Sequence, residues 1–142
     1  FRNEPDVSPV EERFACQWAL QEYSSEAIFL THFPAYDMKF YHKLNKEDTA
    51  TALRADLLFR GVEIATISLR EENYEELVKQ LVEKGLNKDD EGFKAYLEAF
   101  YYGLPPHGGF GMGLERLVQK LLGLSSVKEA TLFVRDLNRL SP

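Results

Sequence analysis

A chain of 142 residues, 44% hydrophobic and 28% charged, has the composition of one globular domain or part of one, which excludes a wholly disordered polymer. Seventeen Lys and Arg against 23 Asp and Glu leave a net charge of −6, which argues against a free-standing nucleic-acid binder held by a basic surface and leaves room for a local basic patch. No apolar run approaches the about 18 residues of a membrane span, and the single cysteine, Cys16, excludes an intramolecular disulfide and points to a reducing, cytoplasmic compartment.

Aromatic residues make up 13% of the chain, enough large rings to build a core at this length. The N-terminus, FRNEPDVSP, does not read as a signal peptide, and it begins without Met, which points to a piece of a longer chain. Ser8-Pro9-Val10-Glu11 opens the first element. Ser8 suits the N-cap, Pro9 the first helical position, and Glu11 closes a capping box. Val10, Phe14, Trp18 and Cys16, with Ala15 and Ala19, predict one apolar face to about Glu22. Ala27–Phe33 reads as a strand stopped by Pro34, and Lys39–Tyr41 as a further short strand. His42–Thr49 is loop-like. Ala52–Phe59 and Val62–Leu69 read as two strands joined at Arg60-Gly61, a two-residue hairpin with an unfavoured Arg at its first position.

Asn73–Lys84 has the pattern of an amphipathic helix with Leu77, Val78, Leu81 and Val82 inward and Gly85 as its stop. Asp90–Tyr102 reads as a second such helix, with Phe93, Tyr96, Leu97 and Phe100 on one face and Gly103 at its end. A stiff Leu104-Pro105-Pro106-His107 loop leads to a glycine-dense strand over Gly108–Gly113, then to a helix from Leu114 to Leu122 ended by Gly123. Thr131–Phe133 reads as a last short strand. A hairpin followed by helices predicts an α+β fold, an antiparallel sheet flanked by helices, over alternating βαβ units.

The densest chemical signal is Gly108-Gly109-Phe110-Gly111-Met112-Gly113-Leu114-Glu115-Arg116. Glycine weakens a strand unless something approaches its backbone closely. A strand running directly into a helix presents free N–H groups and a positive dipole end to an anion, and Arg116 in the first turn can clamp a phosphate. The alternative is tight strand–helix packing that binds nothing. The spacing fits neither a dinucleotide fingerprint nor a Walker loop. Cys16 reads as a small core residue, and His32 and His42 show no metal-ligand spacing. His107 is placed for loop hydrogen bonding or substrate contact. Arg135 and Arg139 suit surface ion pairs or phosphate contact, and Glu71-Glu72 and Lys88–Glu91 suit solvated helix ends.

Gly109–Arg116 resembles motif 3 of class II aminoacyl-tRNA synthetases. Tyr102–Gly109, Asp56–Ile64 and the ending Phe133–Pro142 are similar to the archaeal and eukaryotic type of the aspartyl subclass, and the resemblance runs from about Glu11 to Pro142. It implies that residues 1–142 are the C-terminal portion of a class II catalytic domain. Motif 3 is present, whereas motifs 1 and 2 and the anticodon-binding barrel lie outside this sequence. The implied activity is ATP-dependent activation of aspartate or asparagine as an aminoacyl-adenylate, followed by transfer to the tRNA acceptor end by a homodimer. It implies Arg116 on the γ-phosphate, with Gly111, Gly113, Leu114 and Glu115 along the adenine and phosphates. It also implies Glu63 and Thr66 as oxygen ligands of Mg²⁺, and Thr66 and Arg70 toward the amino acid, Arg70 gripping the side-chain carboxylate. Two other readings stay open: a tRNA-independent, aspartate-amidating paralogue, and a truncated non-catalytic nucleotide-binding or interaction module.

Between Glu63 and Arg70 the family more often has Gly and Gln where this chain has Ile67 and Leu69, which are expected to narrow or dry the amino-acid pocket. Val134 replaces the usual Pro. Strand parity puts Thr66 and Arg70 on one face and Glu63 on the other, so a shared site requires a bulge or strong twist. Without one, Glu63 becomes an ion-pair partner for a neighbouring arginine.

Overall fold

A computed structural model describes residues 6–137. In chain order the elements are α1 (Pro9–Tyr23), β1 (Ala27–Thr31), a 3₁₀ turn (Ala35–Asp37), β2 (Arg54–Phe59), β3 (Val62–Leu69), α2 (Tyr74–Glu83), α3 (Glu91–Tyr101), β4 (Gly108–Met112), α4 (Leu114–Leu122) and a second 3₁₀ turn (Val127–Ala130). The strands form one antiparallel sheet in the order β1-β2-β3-β4, the α+β arrangement expected. Two compact units divide the described chain. One holds Asp6, residues 30–55 and residues 66–110; the other holds 7–29, 56–65 and 111–137.

In the first unit, α2 and α3 pack together and make the core. Asn73 caps α2 by accepting from the Glu76 amide at 3.0 Å, and Asp90 caps α3 by accepting from Gly92 at 3.1 Å. Leu77 and Leu81, one turn apart, are fully buried and meet Leu97 and Phe100 of α3, with Phe40, Tyr41 and Phe93 packed around them. Each fully buried leucine contributes about 1.5–3 kcal/mol. Val82, expected inside, is 55% exposed, because the buried stripe of α2 is only as wide as the α3 contact. Lys39–Tyr41 is a turn rather than a strand. The His42 amide donates to the Lys39 carbonyl at 3.1 Å, which curls the segment and delivers Phe40 and Tyr41 to the core. Glu72 is no solvated helix end: it pairs with Lys43, which holds its carboxyl below the usual carboxylate range.

In the second unit, Ser8 and Glu11 form the predicted capping box of α1, the Ser8 amide donating to Glu11 Oε2 at 2.9 Å. The buried face of α1 is Cys16 and Ala19, whereas Val10 and Phe14 are 66% and 69% exposed. The apolar face read from the largest residues is therefore corrected. Small side chains face inward where α1 runs close to the hairpin: a Cβ on Gly61 would lie 3.1 Å from Arg13 Cγ. Both hairpin residues take positive φ, 46° at Arg60 and 83° at Gly61, as a type I′ turn requires. Arg60 is held in that conformation from outside. Its Nε and Nη2 donate to the Glu26 carboxylate at 2.7 and 2.8 Å and its Nη1 to the Lys120 carbonyl at 2.8 Å. Thr131–Phe133 forms no strand, and Leu132 is almost fully exposed. Arg135 is exposed, and the residues from Asn138 to Pro142, Arg139 among them, lie outside the described part.

Candidate functional site

The glycine stretch forms β4, passes through Gly113 and enters α4, as its composition predicts. Two kinds of glycine sit in it. At Gly108 a Cβ would fall 2.8 Å from Leu69 Cδ2 and 3.0 Å from the Ser68 carbonyl oxygen, so that glycine serves packing. At Gly109 and Gly111 no described atom lies within 4 Å of where a Cβ would stand. Internal packing therefore does not demand glycine there, and the backbone is open to a ligand. Gly113 is the N-cap of α4 and supplies no capping side chain; its own amide donates to the Ile64 carbonyl at 2.9 Å. The first-turn amides of the nine-residue helix thus lack a side-chain acceptor, the usual condition of an anion-binding helix end. Leu114 and Glu115 are exposed on this first turn.

Arg116 reaches back to β3. Its Nη1 donates to the Glu63 carbonyl at 2.9 Å and stands 3.7 Å from the Glu63 carboxylate. Glu63 is fixed from the other direction by its amide, which donates to Glu12 Oε2 at 3.2 Å. β3 runs unbroken from Val62 to Leu69, and Glu63 does pair with an arginine. The arginine is Arg116 itself, which joins two residues singled out independently in the sequence. With the side chains 52% and 30% exposed, the pair is weak and both ends remain open to solvent.

Arg70 lies in the other unit, with Thr66, which is half-buried on β3. The segment around Tyr41 is laced to the end of β3. The Lys43 amide donates to the Leu69 carbonyl and the Glu71 amide to the Tyr41 carbonyl, both at 3.0 Å, and His42 bridges antiparallel to Arg70. The Arg70 amide donates to the His107 carbonyl at 3.0 Å. These bonds place the Arg70 guanidinium over the Tyr41 ring, 4.3 Å from its centroid. Arg70 therefore lines a cavity of about 430 Å³ together with Tyr41, Tyr96, Phe100, His107 and the backbone of Gly108 and Gly109. Among the described residues no carboxylate forms an ion pair with Arg70.

Ile67 and Leu69 do not wall this cavity. They line a separate one of about 280 Å³ beside His32 and Arg54. His107 makes the expected loop contact, its Nδ1 lying 3.0 Å from the Pro105 carbonyl, and it is among the residues that line the cavity. In the sequence Tyr41 reads as part of a short strand and Tyr96 as one residue of a helix's apolar face, and neither pattern marks them as lining a site. Burial pushes the Tyr96 hydroxyl above its ordinary range, against the nearby charge of Arg70. His42 is buried and its ring stacks on Tyr41. Burial pushes its imidazole below the usual range, and the charges of Arg70, Arg54 and Lys39 push the same way against a contact to the Lys39 carbonyl.

One unit thus brings together Glu63, Gly111, Gly113, Leu114, Glu115 and Arg116, and the other holds Thr66 and Arg70. Among the described residues no three His, Cys, Asp or Glu side chains gather as a metal site. The Glu63 carboxylate, weakly paired with Arg116, is of the kind magnesium takes, since that ion binds one or two protein carboxylates and completes its shell from phosphates and water. No helix of the described residues is long and apolar enough to cross a membrane.

Residues 3–137 match the family described as tRNA synthetases class II (D, K and N). Over 137 residues the chain is 45% identical to an aspartate–tRNA(Asp/Asn) ligase of Thermus thermophilus, covering 96% of this chain and 32% of that protein. It is 43% identical over 123 residues to the ligase of the same description from Methanopyrus kandleri, covering 87% of this chain and 28% of the relative. The chain therefore spans about a third of the length of these relatives. Among solved structures, the aspartyl-tRNA synthetase of Entamoeba histolytica superposes with a TM-score of 0.89 at 33% identity, over 96% of this chain and 28% of that one. The asparaginyl-tRNA synthetase of Pyrococcus horikoshii complexed with asparaginyl-adenylate gives 0.85 at 33% identity, over 100% of this chain and 32% of that one.

Proposed function

We propose that this chain, which belongs to the family of class II tRNA synthetases (D, K and N), carries the C-terminal part of the catalytic domain of an aspartate- or asparagine-activating tRNA ligase. The full-length protein joins the amino acid to ATP. A carboxylate oxygen attacks the α-phosphorus, the P–O bond to pyrophosphate breaks, and the aminoacyl-adenylate then passes its acyl group to the tRNA acceptor end. A substrate carboxylate is already a nucleophile, so the protein's task is to hold two reactants in line and neutralise phosphate charge.

Gly111 and Gly113 let the nucleotide approach the backbone of β4, Leu114 and Glu115 border it, and the uncapped end of α4 faces the phosphates. Arg116 moves from its weak contact with Glu63 to the γ-phosphate, a stronger, charge-assisted partner. Mg²⁺ would be held by the Glu63 carboxylate and would neutralise phosphate charge. Homodimerisation, tRNA binding and a cytoplasmic place are carried with the same reading.

The observation that carries the proposal is Arg70: a guanidinium set on an aromatic ring, lining a mostly apolar cavity, with no carboxylate of the described chain to pair with. An arginine so placed is completed by a ligand carboxylate or amide, held by two parallel hydrogen bonds. In the full-length protein, Arg70→Ala leaves that carboxylate desolvated and unpaired, a loss of about 3–5 kcal/mol, while ATP affinity stays. Arg116→Ala does the reverse. Calorimetric titration of both variants with aspartate, asparagine and ATP tests the pair; unchanged amino-acid affinity in Arg70→Ala moves recognition elsewhere.

A further inference from the structure

The Arg70 cavity has a neighbour that none of its proposed substrate contacts uses. His42 is 7% exposed, although it lies in a polar, loop-like stretch of sequence. Its ring lies nearly parallel to that of Tyr41, with centroids 4.8 Å apart and planes inclined by 28°. The same Tyr41 ring carries the Arg70 guanidinium at 4.3 Å, and the backbones of His42 and Arg70 are bridged. We infer that His42 is a positioning residue for substrate recognition: through its stack on Tyr41 it fixes the ring on which Arg70 rests, and so fixes the direction in which the guanidinium fork points.

A guanidinium on a flexible side chain recognises a planar carboxylate only when its fork is held in place. Here no ion pair within the described chain holds it, so the aromatic face is what remains. Tyr41 in turn stands on a turn rather than in a strand and needs its own support. Phe40 packs edge-on against it, with centroids 5.4 Å apart, and His42 stacks on its face. A neutral imidazole suits this place because a second cation beside Arg70 would repel it. Burial favours that neutral form, as do the positive charges of Arg70, Arg54 and Lys39 around the ring.

The inference rests on the reading of Arg70 as the residue that grips the amino acid, and the test separates the two. In the full-length protein, wild type, Arg70→Ala, His42→Ala and His42→Phe are titrated with aspartate, asparagine and ATP, beside a thermal melt of each. Arg70→Ala is expected to lower affinity for the cognate amino acid more than 100-fold. His42→Ala is expected to lower it about three- to ten-fold, the scale of one lost aromatic contact, with ATP affinity unchanged. His42→Phe, which keeps a flat ring on Tyr41, is expected to restore amino-acid affinity to within about two-fold. A purely structural histidine would lower the melting temperature of His42→Ala and leave amino-acid affinity at wild type, which overturns the inference. So does a His42→Phe variant that binds as poorly as His42→Ala. Unchanged affinity in Arg70→Ala overturns the underlying reading instead.

Discussion

Replacing Gly111 by valine separates the two explanations for a glycine-rich strand. If the glycine is needed for internal packing, the fold suffers first; if the backbone is bare so that a nucleotide can lie on it, binding suffers and the fold does not. No described atom lies within 4 Å of a Cβ at Gly111, and its φ is outside the left-handed region. Valine is therefore accommodated, and a side chain in place of glycine adds about 0.5–1 kcal/mol to strand stability. The same side chain occupies the space assigned to ATP. Overfilling a contact by a few methyl groups costs about 1–3 kcal/mol, a fall of about 5- to 150-fold in ATP affinity. Gly108→Ala is the control. There the new Cβ meets Leu69 Cδ2 at 2.8 Å and the Ser68 carbonyl oxygen at 3.0 Å. The leucine tip is half-exposed and can swing away, but the backbone oxygen cannot, so the melting temperature falls by several degrees. Calorimetric ATP titration and a melt of each full-length variant give the answer. A Gly111→Val protein that binds ATP like wild type, or that no longer folds, refutes the assignment of β4.

Three further outcomes follow from the same structure. Leu77→Ala, at a position with no exposed surface, should cost about 2–5 kcal/mol by denaturant titration, whereas Val82→Ala on the open side of α2 should cost less than about 1 kcal/mol. His42 has a folded-state pKa below its unfolded value of about 6.5. Its contribution is therefore complete above about pH 6.5 and is lost as pH falls through the folded pKa; Arg70, Arg54 and Lys39 are the charges around it. His42→Phe should gain stability relative to wild type between pH 7 and pH 5, measured by denaturant titration at each pH, and a constant difference would contradict the assignment. The 142-residue chain alone should show no amino-acid-dependent ATP–pyrophosphate exchange, because the family resemblance places the α-phosphate arginine outside it, and losing such a clamp costs about 10²–10³ in rate.

The parts of the fold legible in the sequence are those whose signals are local. The stripe Leu77–Leu81, the cap Ser8, the helix starts at Asn73 and Asp90, and the stops Gly85, Gly103 and Gly123 each act within one helical turn, and each stands where the pattern puts it. The Arg60-Gly61 turn was legible because two strands separated by two residues permit little else. What failed depended on distant partners. Phe14 and Trp18 look like a core face, but α1 approaches the hairpin closely enough that Cys16 and Ala19 fill the contact. Lys39–Tyr41 has the composition of a strand, yet its carbonyl is taken by His42 and its rings by α3. The site divides the same way. Gly111, Gly113 and Arg116 stand in one short stretch, where glycine density running into a helix marks a candidate anion site. Tyr41 and Tyr96 line the Arg70 cavity and His42 stacks on Tyr41, all from segments 26 to 29 residues away along the chain, and no local pattern marks such a meeting.

Amino-acid-dependent exchange of pyrophosphate into ATP by the full-length protein tests the central claim most directly, since it requires both sites and the adenylate they make. The account predicts exchange that depends on aspartate or asparagine, falls about 100-fold or more in Arg70→Ala, and is restored only in part by Arg70→Lys. Exchange that neither amino acid supports, or that Arg70→Ala leaves at the wild-type rate, would contradict it.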